Sequence, residues 1–210
     1  MRIVTSAICL AGSLLLATPA AAQDPEPAEV PAAAPSRIPL QKRVGFDLFT
    51  SGITPQSATL AGTGERAFGG QLTLGVTAWR VLDLSGDFGI IGMKDEAQFS
   101  QPTTGGEKSS GVAAGMLTLA AGLRTPPLQM GSDPTTISAG VSAGRSWLDV
   151  NRTITDCVDC HGEDVEIGAG SFWEPGVHAT RGRGGLSARY RVYADGDLED
   201  ALMVGYTWSF

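Results

Sequence analysis

Cys157-Val158-Asp159-Cys160-His161 is the string in this 210-residue chain that comes nearest to defined chemistry. Two thiols three positions apart, followed at once by histidine, fit the C-x-x-C-H pattern of covalent haem attachment. There the sulfurs would become thioethers and His161 would ligate the iron. His178, the only other histidine, would be the candidate distal ligand. The flanks oppose this reading, because they are polar where a haem needs an apolar, helical pocket. A zinc site built from Cys157, Cys160, His161 and Glu163 or Asp164 lacks the paired ligand set of structural zinc centres. No βαβ pattern surrounds the pair, as a thioredoxin-like redox motif requires. The expected chemistry is therefore a disulfide, Cys157 to Cys160, in an oxidising compartment. It encloses few residues, so its entropic contribution should be modest. No cofactor, metal or catalytic residue is expected.

A second set is Glu174, His178 and Thr180, which offers a carboxylate, a base and a hydroxyl on one parity of a single segment. A lipid-modifying enzyme could use such groups. The simpler expectation is an inward polar cluster, with Glu174 pairing to Arg189 or Arg191 across a hairpin. Asp83, Asp87, Arg189 and Arg191 likewise read as interior salt bridges. The glycine-rich Arg181 to Gly185 reads as a turn.

The segments that must position these residues alternate with period two. Leu72, Leu74, Val76 and Ala78 oppose Gln71, Thr73, Gly75 and Thr77. Leu82, Leu84, Phe88 and Ile90 oppose Asp83, Ser85, Asp87 and Gly89. Leu117, Leu119, Ala121 and Leu123 stand against Gly115, Thr118 and Gly122, and Ile137 to Ala143 alternates with Ser138 to Gly144. Leu186 to Val192 opposes Ser187 to Tyr193, and Leu202 to Phe210 opposes Met203 to Ser209. Adding Arg43 to Gly52 and about 168–180 gives eight strands. Their connections alternate in length: those near 53–67, 94–109 and 150–167 are long, whereas 79–80, 126–134 and 181–184 are shorter. One face is apolar and the other carries small and charged residues. This suits a narrow barrel with lipid outside better than a soluble sandwich. Phe46, Phe49, Trp79, Trp147, Trp173, Tyr206 and Trp208 lie near strand ends and are expected to form interfacial belts.

The remainder bounds location. Arg2, the apolar run Ala7 to Ala17 and the small residues Ala20 to Ala22 read as a signal peptide over 1–22, with Cys9 leaving in it. Residues 23–42 are rich in Pro and Ala and are expected to form a disordered tail. The barrel occupies 43–210. A net charge of −7 and a pI near 4.8 argue against nucleic acid.

The terminal run Met203-Val204-Gly205-Tyr206-Thr207-Trp208-Ser209-Phe210 resembles the last strand of bacterial outer-membrane proteins. With the signal and the eight segments, the chain is similar to the small barrels of the OmpA-like and opacity-type superfamily. That resemblance implies an all-β, antiparallel up-and-down transmembrane barrel in the outer membrane. It also implies that Tyr206, Trp208 and Phe210 are read by the barrel-assembly machinery. Outer-membrane lipid, lipopolysaccharide and an unidentified ligand of the loops are the expected partners. The role expected from it is structural or surface-interacting, and not enzymatic.

Overall fold

The computed structural model describes residues 39–97, 109–155 and 162–210. Among them are ten strands and one short helix in the order β1 (Leu40–Ile53), α1 (Pro55–Ala61), β2 (Thr63–Ala78), β3 (Leu82–Asp95), β4 (Ser109–Arg124), β5 (Leu128–Gln129), β6 (Thr135–Thr155), β7 (Gly162–Asp164), β8 (Ser171–Arg181), β9 (Gly184–Tyr193) and β10 (Leu198–Ser209). Eight of these form a closed ring, β4-β3-β2-β1-β10-β9-β8-β6, which a β4–β6 pairing completes. Every neighbour is antiparallel, and β1 meets β10 with Val44 opposite Trp208 and Leu48 opposite Val204. Strands β5 and β7 are short additions to the edges of β6. The expected up-and-down barrel is thus present.

Closure explains the composition. A ring leaves no unpaired edge, and side chains that alternate along each strand must face either the wall or the lumen. Leu72, Leu74, Phe88, Ile90, Leu117, Leu119, Leu186, Val204 and Tyr206 stand exposed on the wall. Gln71, Thr73, Asp87, Thr118, Ser187 and Arg191 are buried inside. Two parity assignments need correction. Phe49 is only 6% exposed and packs in the lumen, because it lies three residues from the wall residue Phe46 and so has opposite parity. Gly115 shares the outward parity of Leu117 and faces out.

The ring has two unlike ends. At one end lie the turns Trp79–Arg80 and Gly182-Arg183, the 125–134 connection, and both Leu40 and Phe210. Within that connection the Asp133 carboxylate accepts bonds from Thr135 Oγ1 and N at 2.7 and 2.8 Å, which hold its pKa below the ordinary value. Trp79 and Arg80 make a two-residue hairpin turn with positive φ at both (51° and 62°), and Val81 N donates to Ala78 O at 3.1 Å.

The other end carries the long connections, and three features of it differ from expectation. The first connection contains a helix, α1. Thr54 caps it by accepting from Ser57 N, Pro55 opens it, and Gly62 closes it in the left-handed conformation at φ 64°. Strand β2 also starts earlier than expected, within that connection. β6 runs on to Thr155, so its upper part stands beyond most neighbours and pairs with β4 and β7.

Asp197 ties this end together. Its carboxylate accepts from Ser57 Oγ at 2.6 Å and from Gly168 N at 2.6 Å, while its backbone O accepts from Thr54 N at 2.9 Å. Below these links the lumen is apolar: Phe49, Ile53, Ile91, Met93, Met116, Val150, Ile167, Leu198 and Met203 pack with Ala58 of α1 into a continuous plug.

Candidate functional site

Below the plug the lumen is charged, and this is where the chemically active residues converge. Arg191 from β9 is the most deeply set. Its Nε donates to Glu174 Oε2 at 2.8 Å and Nη1 reaches Ser146 Oγ and Thr118 Oγ1 at 3.3 and 3.4 Å. Its guanidinium carbon also stands 4.0 Å from the centre of the Phe172 ring, a cation–π contact removed from water. Arg189 lies two residues away on the same inward parity. It donates to the other Glu174 oxygen at 2.9 Å and to Asp47 Oδ2 at 2.7 Å. Glu174 therefore bridges the two arginines, with one charge-assisted hydrogen bond from each.

Asp47 is anchored further by Thr73 Oγ1 at 2.8 Å and Ser187 Oγ at 3.3 Å. Its place depends on Gly205, directly opposite on β10, where a Cβ would collide with the Asp47 carboxylate. Asp87 is held much less well. Its ion pair with Arg191 Nη2 is 3.4 Å long, and its Oδ1 lacks a hydrogen-bond partner among the described residues. Nearer the short-turn end, Asp83 binds Arg43 and accepts from Thr77 at 3.0 Å and Arg124 at 3.3 Å. Arg124 also stands 3.4 Å from His178 Nε2. A void of about 40 Å³ separates these two charged levels, lined among others by Arg43, Asp83, Arg124, His178 and Arg189. That is room for a few waters and not for an organic substrate.

These contacts meet several expectations. Asp83, Asp87, Arg189 and Arg191 do form interior ion pairs, and Glu174 pairs with both arginines. His178 and Thr180 face inward with Glu174, but they do not assemble into one centre. Thr180 Oγ1 meets Thr136 Oγ1 at 2.7 Å, whereas His178 faces Arg124. None of the three is turned toward the wall. Sequence reasoning missed Arg43, Asp47 and Arg124 as lumen charges, although their parities relative to Phe46, Leu48 and Leu123 were available. Cys157, Cys160 and His161 lie outside the described residues. Tyr206, Trp208 and Phe210 all face outward on the last strand and its end.

Among the described residues no His, Cys, Asp and Glu group is arranged to hold a metal ion. Among the described residues no helix is long and apolar enough to cross a membrane, which does not bear on strands.

No protein-family model matches the chain, and no curated protein sequence does. Among solved structures, the fold is similar to neisserial surface protein A, with 10% identity, 81% of this chain and 97% of that chain covered, and a TM-score of 0.43. It is similar to Ail, the attachment invasion locus protein of Yersinia pestis, with 10% identity, the same two coverages and a TM-score of 0.44. A major outer membrane protein from Thermus thermophilus gives 14% identity, 80% and 99% coverage, and a TM-score of 0.41.

Proposed function

We propose that the chain is a non-enzymatic outer-membrane barrel that works through its long-connection end, which faces the cell exterior. One observation carries the reading: the polarity of the ring is inverted relative to a soluble protein. Below the apolar plug, charged and polar residues fill the lumen, while Leu, Val, Phe and Trp cover the wall. In water such a wall is an aggregation hazard; in lipid it is the stable arrangement, and a closed ring meets the backbone's need for internal hydrogen bonds.

The apolar wall also has limits set by charge. Lys42 follows Leu40 at the start of the outward positions on β1, those on β8 end at Arg181, and those on β2 and β3 give way to Arg66 and Lys94 at the far end. Exposed Trp79, Trp147, Trp173 and Trp208 fit interfacial girdles.

The plug and the bridged arginines supply rigidity, not a transport path. The acidic end, with Glu65, Asp164, Glu166, Asp195 and Glu199, is the contact surface. Its ligand would be a cationic or divalent-ion-bridged component of the surroundings. Tyr206, Trp208 and Phe210 serve as the assembly signal, and Cys157 and Cys160 pair in an outer loop.

The test is electrophoresis of an outer-membrane fraction with and without boiling. A compact band that shifts on heating is expected. A soluble periplasmic protein without a shift would overturn the reading. Unchanged lipid A on overexpression is expected; altered lipid A that is lost in His178→Ala would instead make the protein an enzyme.

A further inference from the structure

The short-turn end carries two features that the barrel itself does not require. The first is the hairpin turn at Trp79 and Arg80. Both residues adopt positive φ, a conformation that Asn and Gly take readily and that is unfavourable for other residues. A turn with this backbone has every local reason to be Asn-Gly. Bulky residues persist in such conformations where their side chains are needed. Trp79 is 56% exposed and Arg80 is exposed beside it, so neither is retained for core packing.

The second feature is charge. Lys42, Arg80, Arg181 and Arg183 are all exposed at this end, against the single exposed carboxylate of Asp133 among the described side chains. They occur from the β2–β3 turn across β1 to the β8–β9 turn, so they collar much of the ring. Lys42 and Arg181 have outward parity and sit directly below the apolar wall, where long basic side chains can lay their stems on hydrocarbon and raise their charges into headgroups. Exposed Leu40, Trp79 and Val81 continue the wall into the same zone.

We infer that this collar binds anionic phospholipid headgroups of the periplasmic leaflet, and that Trp79 and Arg80 keep their unfavourable backbone for that contact. The inference rests on the transmembrane reading above. Lipid is the partner, and not an anionic wall polymer, because the cations are interleaved with exposed apolar side chains and continuous with the lipid-facing wall. Each basic residue near an anionic surface contributes about 1 kcal/mol, which is about fivefold in occupancy, and the attraction is screened by salt.

The experiment inserts the protein into vesicles of phosphatidylcholine mixed with phosphatidylglycerol, then identifies lipids retained on release by native mass spectrometry. Insertion is checked first by the heat shift on a gel. The inserted wild type should retain phosphatidylglycerol at least about fivefold over its share of the mixture, with loss of that enrichment in high salt. W79N/R80G should be as stable as wild type or more so, yet retain less phosphatidylglycerol; adding K42S, R181S and R183S, so that all four collar cations are gone, should bring retention to parity. R66S/K94S, at the opposite end, should retain the wild-type enrichment. Insertion without enrichment, or enrichment that survives the loss of all four collar cations, overturns the collar and leaves the barrel intact. Co-sedimentation with peptidoglycan in place of lipid enrichment also overturns it. Failure to insert into these vesicles counts against the transmembrane reading itself.

Discussion

Arg191 Nε and Glu174 Oε2 meet at 2.8 Å in the middle of the lumen, where each side chain is almost wholly removed from solvent. Breaking such a pair leaves the partner as an uncompensated buried charge, which typically costs about 3–5 kcal/mol. Glu174→Ala should therefore lower unfolding stability by about that amount, measured by urea titration in bilayers or detergent. Replacing both with apolar residues and neutralising Asp87, which also faces Arg191, as in Glu174→Leu with Arg191→Met and Asp87→Asn, should recover most of the loss.

Asp87 predicts the opposite sensitivity. Its carboxylate has a long contact to Arg191 and one oxygen without a hydrogen bond among the described residues. A buried charge so weakly compensated is expensive. Asp87→Asn keeps the shape and should leave stability within about 1 kcal/mol of wild type, or raise it. A loss as large as that of Glu174→Ala would mean that Arg189 and Thr73 compensate the Asp87 charge more fully than its long contact to Arg191 does.

Gly205 provides the space in which Asp47 reaches Arg189. Gly205→Ala should displace that carboxylate and cost about 1–3 kcal/mol, the usual penalty of overpacking. Gly92 is an informative control: it faces the wall, where a Cβ would meet only the Phe68 carbonyl, at 3.9 Å. Gly92→Ala should be nearly silent in the same unfolding assay.

Asp197 links α1, the segment before β8 and the turn before β10. Asp197→Ala should loosen all three together while leaving the ring intact. Hydrogen exchange should rise at Ser57, Thr54 and Gly168 with little change at Val204 or Leu72. Uniform loss of protection would instead make Asp197 part of the global fold.

The plug predicts that wild-type protein in a planar bilayer gives no steady conductance, because Ile91, Met93 and Met203 fill the lumen above the ion pairs. Replacing all three with glycine should admit water and small ions, read as single-channel current. Steady current from wild type would show that the plug opens.

Much of this architecture was legible because a closed ring turns sequence parity directly into inside and outside. Leu72 and Gln71 cannot share a face, and neither can Phe88 and Asp87. The same rule would have placed Phe49 in the lumen, had its spacing from Phe46 been weighed above the general liking of aromatics for interfaces. The helix was also signalled, by Thr54, Pro55 and Gly62 in capping positions, but its two turns are too short for a hydrophobic period to appear. The pairing of Asp47 with Arg189 was not legible at all. The two are 142 residues apart and meet only through the register in which β1, β10 and β9 lie side by side.

The β1–β10 pairing has a temporal consequence. The first and last strands are neighbours, so the wall cannot be sealed until the final segment has been delivered. A chain made from its amino end therefore carries seven ring strands with an open seam until β10 follows. Val44 waits throughout for Trp208, and until then the unpaired edge is a template on which another molecule could pair. The contact that closes the wall joins the two ends of the ring's sequence, so the last strand decides when the barrel is complete.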